Sequence, residues 1–238
     1  MKDYFKKLES DIRFEEGLRA CINCGTCTAI CPAASFYDYD PKKIVSKVQS
    51  TSDEIIEDLL KSDAIWYCGE CMSCKTRCPR GNAPGLVIMA LRQLSIETGF
   101  FADSEKGRQM LVLKRVLGSN ILKKGYCVHI ESMDHDLHPE QGPVWTWIRK
   151  HARSLYNRLG GNYGEEGPGA LRKINDEDLK ELESIFEVTH ALRRFETIEK
   201  YSAIKAQSMG YTLTENQNDQ YLQMVYRYNS GNHKKSRS

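Results

Sequence analysis

The sequence predicts a mainly α-helical protein, and three observations lead there. The stretch joining its two cysteine runs, residues 33–67, carries two helix-opening signatures. Residues 84–99 place Val87, Ala90, Leu91 and Leu94 on one helical face between Pro84 and Gly99. From Asn175 onward, apolar residues again recur at helical spacing.

Taken in order, Asp40 and Pro41 form an N-cap and first-turn pair that opens PKKIVSKVQS, because an aspartate side chain can accept from the orphan amides and proline loses nothing at N1. Ser52, followed by Asp53 and Glu54, opens DEIIEDLLK in the same way. Pro84 starts a third helix, which Gly99 is placed to end. Residues 103–117 read as a further helix stopped near Gly118. The segment 119–170 is rich in turn residues and reads as an irregular docking segment, with a helix in VWTWIRKHARSLYNRLG. The last helical region is capped by Asn175 and expected to bury Leu179, Leu182, Ile185 and Phe186. The expected organisation is therefore a cysteine-bearing helical domain over 1–118, the docking segment over 119–170, and a helical extension over 171–238 ending in a disordered basic tail, NHKKSRS.

Composition narrows the function classes. Of 238 residues 40% are hydrophobic and 28% charged, which is globular usage. Mean hydropathy is −0.54, and no stretch approaches the ~18–20 apolar residues of a membrane span. The opening MKDYFKKLES lacks the apolar run of a secretory signal, so a cytoplasmic location is expected. A formal net charge of +2, from 34 basic and 32 acidic side chains, leaves no nucleic-acid footprint.

Nine cysteines in a reducing compartment favour metal binding over disulfides. Eight of them form an internal repeat: CINCGTCTAICP from Cys21 is echoed by CGECMSCKTRCP from Cys68, each matched cysteine displaced by 47 residues. Both copies read C-x2-C-x2-C-x3-C-P, the run that holds [4Fe–4S] clusters in two-cluster ferredoxins, with the fourth cysteine serving the other cluster. Three thiolates at this spacing curl around one face of a cubane, and the fourth iron must be reached from elsewhere. Cluster I is thus expected on Cys21, Cys24, Cys27 and Cys78, and cluster II on Cys68, Cys71, Cys74 and Cys31. Pro32 and Pro79 turn the chain away after each fourth ligand. Zinc ribbons are the competing reading, but zinc requires neither three evenly spaced cysteines nor the duplicated proline. With a long helical linker between the runs, the expectation is an α-helical ferredoxin domain carrying two [4Fe–4S] clusters. Two oxidised centres of charge about −2 would bring the net charge from +2 to about −2. Glu70, Lys75 and Arg77 lie within the second run and Arg80 just beyond it, whereas the first has no ionisable residue between its cysteines; a higher potential is expected for cluster II.

These residues carry a resemblance. CINCGTCTAICPAASF followed by IWYCGECMSCKTRCPRGNAP, within residues 14–118, resembles the C subunit of heterodisulfide reductase and its bacterial relatives. The resemblance implies an electron-transfer component of an oxidoreductase complex, relaying electrons between a flavin-containing iron–sulfur partner (the A type) and a catalytic cysteine-rich partner (the B type), with no bond chemistry of its own. GPGALRKINDEDLKELESIF is similar to the extension in heterodisulfide-reductase-like complexes of sulfur-oxidising bacteria, which makes sulfur oxidation a candidate pathway. The competing readings are the iron–sulfur subunit of a succinate, glycerol-3-phosphate or glycolate flavin dehydrogenase, a structural zinc or interaction module, and a DNA-binding iron–sulfur sensor. The first commonly needs further cysteines that this chain does not have, and the last needs a basic recognition helix.

Weaker features receive structural readings. His129, His135 and His138, with Asp134 and Asp136, lack metal-site spacing. GGNYGEEGPG follows no strand, so it is no dinucleotide loop. Cys127 is expected to be a buried inert thiol. Trp145 and Trp147 are expected to pack on a partner or on their own domain.

Overall fold

The structure is a computed structural model that describes residues 2–216 and 219–227. Among the described residues the regular elements are all helical, and the chain divides into two compact units, one reaching Arg108 and the other starting at Gln109. That division falls inside the segment 103–117. The basic tail NHKKSRS lies outside the described residues.

The first unit is built on α1 (Tyr4–Glu9), α2 (Ile12–Leu18), α3 (Thr26–Ala29), α4 (Ala33–Phe36), α5 (Pro41–Gln49), α6 (Asp53–Leu60), a 3-10 turn (Asp63–Tyr67), α7 (Ser73–Arg77), α8 (Pro84–Thr98) and α9 (Glu105–Arg108). The anticipated caps are present: the Asp40 carboxylate accepts from the Lys43 amide at 3.2 Å and the Ser52 hydroxyl from the Ile55 amide at 3.4 Å. The α8 stripe of Val87, Ala90, Leu91 and Leu94 is buried, and Gly99 ends the helix at φ +82°. Ile44 and Val48 from α5, and Ile56, Leu59 and Leu60 from α6, complete one core with Leu8 and Ile65. α2 approaches α8 so closely that a Cβ on Gly17 would stand 2.5 Å from Val87 Cγ2. The two cysteine runs thereby emerge beside α8, with α3 packed against α7.

In the second unit the helix expected to stop at Gly118 continues. α10 (Met110–Leu113) passes through a π-helical turn (Lys114–Gly118) into α11 (Ser119–Lys124) and ends at Gly125, which has φ +72°. Gly118 has ordinary helical φ (−61°); its missing side chain admits the Phe195 ring, whose Cζ would lie 2.4 Å from a Cβ there. The segment after Gly125 is made of turns up to α12 (Trp145–Lys150) and α13 (Ala152–Arg158), which break at His151. There Trp145 Nε1 donates to the Met133 carbonyl at 2.6 Å, while Trp147 stays exposed and stacks on His151. α14 (Asp176–Val188) is capped by Asn175, whose side chain accepts from the Asp178 amide at 2.7 Å, and is followed by α15 (Ala191–Ser208) and α16 (Gln220–Arg227).

The expected burial on α14 is corrected. Leu179, Leu182 and Phe186 are half-buried and Ile185 is exposed. The first three share a narrow helical stripe that meets α11 and α15, and Ile185 sits off its edge. Glu199 on α15 binds both Lys114 (2.9 Å) and Arg115 (2.8 Å). Burial pushes its carboxyl up, but the hydrogen bonds and charges of Arg115 and Lys114 outweigh that and hold it below the usual range. A depressed pKa contributes stability above the unfolded value and loses it as pH falls through the folded one. Glu199→Gln is therefore expected to cost about 1–3 kcal/mol at neutral pH, and the difference from wild type should shrink as the pH of anaerobic denaturation is lowered below ~4.3.

Candidate metal centre

The 47-residue repeat is also a repeat of backbone geometry. Asn23 and Glu70, at equivalent positions, have φ +55° and +53°. Gly25 and Met72, two residues on, have φ +84° and +57°. Left-handed conformations cost non-glycine residues energy and persist only where the surroundings impose them. Left-handed turns of this kind help aim successive amides into the concavities that receive iron–sulfur centres and other anions. The Asn23 amide donates to Cys21 Sγ at 3.4 Å.

The sulfurs follow the same symmetry. Cys24 lies 3.3 Å from the Thr26 hydroxyl and Cys71 lies 3.4 Å from the Ser73 hydroxyl. Those hydrogen bonds hold both thiols below their ordinary pKa, towards the thiolate a metal needs. Cys27 and Cys74, on α3 and α7, are pushed the other way by burial, and Cys27 feels Cys21 and then Cys74 as neighbouring charges.

A cavity beside α8 is lined by Cys31, Cys68, Cys71 and Cys74, together with Tyr39, Gly85 and Ile88. It thus joins the last cysteine of the first run to the first three of the second. Tyr39, 3% exposed, closes one side; burial and then the adjacent Cys68 push its phenol far above the ordinary range. Gly85 presents its amide to Cys74. Cys78 is half-buried at the end of α7. The residues fit an anionic cluster: eight thiols, amide-lined turns and hydroxyl donors, walled by the apolar core.

Each run is also held by a side chain from a helix later in the chain. Gln49, closing α5, donates to the Cys21 carbonyl at 3.1 Å and accepts from the Asn23 amide group at 2.8 Å. Arg92 on α8 donates to the Cys68 carbonyl at 2.6 Å, to the Ile65 carbonyl at 2.7 Å and to the Glu70 carboxylate. Lys75 is bound to Glu16. None of Tyr39, Gln49 or Arg92 was legible as a site residue, since each reads locally as a linker or helix-surface position.

The remaining sequence candidates lie elsewhere. Cys127 is exposed, a correction to the expected buried thiol: it falls in the turns after Gly125, outside any helix packing face. His129 accepts from the Glu131 amide through Nδ1, and burial followed by the Lys124 charge holds it below its usual pKa. His138 Nδ1 meets the Tyr226 hydroxyl at 3.0 Å. Among the described residues, no three histidine, cysteine or carboxylate side chains gather closely enough to hold a single metal ion.

Residues 17–82 match the 4Fe-4S dicluster domain family. The chain is 39% identical over 144 residues to the C subunit of the ferredoxin:CoB-CoM heterodisulfide reductase of Methanosarcina acetivorans, covering 60% of this chain and 54% of the relative. It is 32% identical over 118 residues to the iron-sulfur C subunit of the CoB–CoM heterodisulfide reductase of Methanopyrus kandleri, covering 47% and 60%. Similarity to the C subunit of the H(2):CoB-CoM heterodisulfide,ferredoxin reductase of Methanothermobacter thermautotrophicus is 32% over 128 residues, covering 53% and 62%. The chain therefore spans between half and two thirds of the length of these relatives. Among the described residues, no helix is long and apolar enough to cross a membrane. Duplicated cysteine loops, a helical frame and these likenesses agree: residues 17–82 are a 4Fe-4S dicluster domain, which implies two [4Fe–4S] clusters, and the chain is similar to the C subunits of heterodisulfide reductases.

Proposed function

We propose that this chain relays electrons within a heterodisulfide-reductase-like complex, between an A-like flavin iron–sulfur partner and a B-like catalytic cysteine-rich partner, in a pathway that oxidises reduced sulfur. The observation that carries the relay is the cavity in which Cys31 joins Cys68, Cys71 and Cys74. It supports the crossed sets, with Cys21, Cys24, Cys27 and Cys78 holding the other centre, and crossing keeps two centres close enough for electron exchange. Each centre, when bound, accepts and returns a single electron. The chain's own residues supply the rest: hydroxyl and amide donors stabilise thiolate charge, and Tyr39 with Ile88 excludes water from one wall. Ile22, Ile30 and Phe36, all exposed around the first run, give that side an apolar surface suited to a protein partner. The likeness of GPGALRKINDEDLKELESIF to extensions in sulfur-oxidising complexes supports the pathway; it runs from the end of the glycine-rich turns through most of α14.

Iron, zinc and acid-labile sulfide on anaerobically purified protein test the centres. About eight irons and eight sulfides per chain are expected, whereas zinc without sulfide would overturn the relay. A tagged chain isolated from its native host should bring down a flavoprotein and a cysteine-rich protein; copurification of a succinate-type dehydrogenase instead would move the chain to that class.

A further inference from the structure

We propose that Gln49 and Arg92 are equivalent positioning residues, one for each cluster loop, and that their difference in charge makes the two centres electrically unequal, with the centre of the second run at the higher potential. This rests on the reading that each run holds a [4Fe–4S] centre. In both copies one side chain from a later helix grips two points of the loop: the carbonyl of the first cysteine, and the side chain of the left-handed residue two positions later. In the first copy the pair is Gln49 with Asn23, two neutral amides. In the second it is Arg92 with Glu70, a guanidinium with a carboxylate.

Geometry explains why both grips exist. Asn23 and Glu70 sit at φ +55° and +53°, a conformation that relaxes unless held. Cys21 and Cys68 lie outside the helices, and their carbonyls need donors. One side chain meets both requirements, and Arg92 adds a third bond to the Ile65 carbonyl while lying over the Trp66 ring at 5.5 Å.

The electrical difference follows from exposure. The Arg92 side chain is 16% exposed and Glu70 is 43% exposed, so water screens the carboxylate more than the guanidinium. A net positive field remains beside Cys68 and favours the more negative, reduced centre. Lys75 adds little, because it and Glu16 are bound to each other at similar exposure, 49% and 53%. Arg77 and Arg80 are exposed, where water screens them, so the less screened charge behind the inequality is Arg92, a residue outside that run.

The double variant Glu70→Asn/Arg92→Gln copies the first grip onto the second loop. It should retain about eight irons and sulfides, while one midpoint potential in an EPR-monitored redox titration falls and the other stays. The expected fall is about tenfold in the reduced-to-oxidised ratio at fixed poise, 59 mV for one electron. The reciprocal Asn23→Glu/Gln49→Arg should raise the other midpoint alone. Arg92→Ala, which removes the grip altogether, should lose one centre. Unchanged midpoints in a fully loaded double variant would overturn the electrical role, and loss of iron from that variant would overturn the equivalence of the grips. A wild-type chain without two centres would instead remove the reading on which the proposal stands, and the proposal with it.

Discussion

Cys31→Ser is expected to empty the centre of the second run, and Cys78→Ser that of the first, each leaving about four of eight irons. The reason is chain geometry. Three cysteines two residues apart close on one face of a cubane, and a fourth that follows at x3, after a helical turn, is carried away from its own centre. Here the turn is α3, and it delivers Cys31 to the cavity lined by Cys68, Cys71 and Cys74. Comparison of spectra identifies the centre lost. Cys31→Ser and Cys68→Ser should leave the same residual EPR signal, and Cys21→Ser the other. If Cys31→Ser instead matched Cys21→Ser, the crossed sets would be wrong.

The second large effect is expected at Ile88. This side chain is fully buried in α8, belongs to the main core and lines the same cavity as the four cysteines. Ile88→Ala removes core packing and leaves a void that the surrounding helices cannot collapse, so unfolding stability should fall by about 2–5 kcal/mol in anaerobic denaturant titration. Ile88→Val, which keeps most of the volume, should cost only about 0.5–1.5 kcal/mol. Chelator-driven release of iron should quicken in the alanine variant, because the wall that excludes water has been opened. A loss below about 0.5 kcal/mol would show that the site is not part of the stabilising core.

Much of the first unit was legible because its signals are local. Asp40, Ser52, Pro84 and Gly99 mark helix ends through bonds made within a few residues, and the α8 stripe follows from a 3.6-residue period. The cysteine repeat was legible for the same reason: ligand spacing is a property of the chain itself. α1 and α2 escaped notice, although Asp11 caps α2 by accepting from the Arg13 amide at 2.9 Å. In the second unit Gly118 misled, since a glycine that ends a helix and one that admits an aromatic ring look identical in sequence. Ile185 misled as well, because a full helical face was assumed where a narrow stripe makes the contact.

By itself, then, the sequence determined the helical class, two cluster-binding runs and their iron–sulfur chemistry, all of which depend on short-range spacing. Tertiary structure alone decided that Tyr39 and Ile88 wall the cavity that Cys31 shares with the second run, and that Gln49 and Arg92 grip equivalent loops. Those pairings bring together residues far apart in the chain, and no local period or cap encodes which of many polar helix positions will face a carbonyl. That choice is made by how α5 and α8 pack, through buried apolar contacts elsewhere on the same helices.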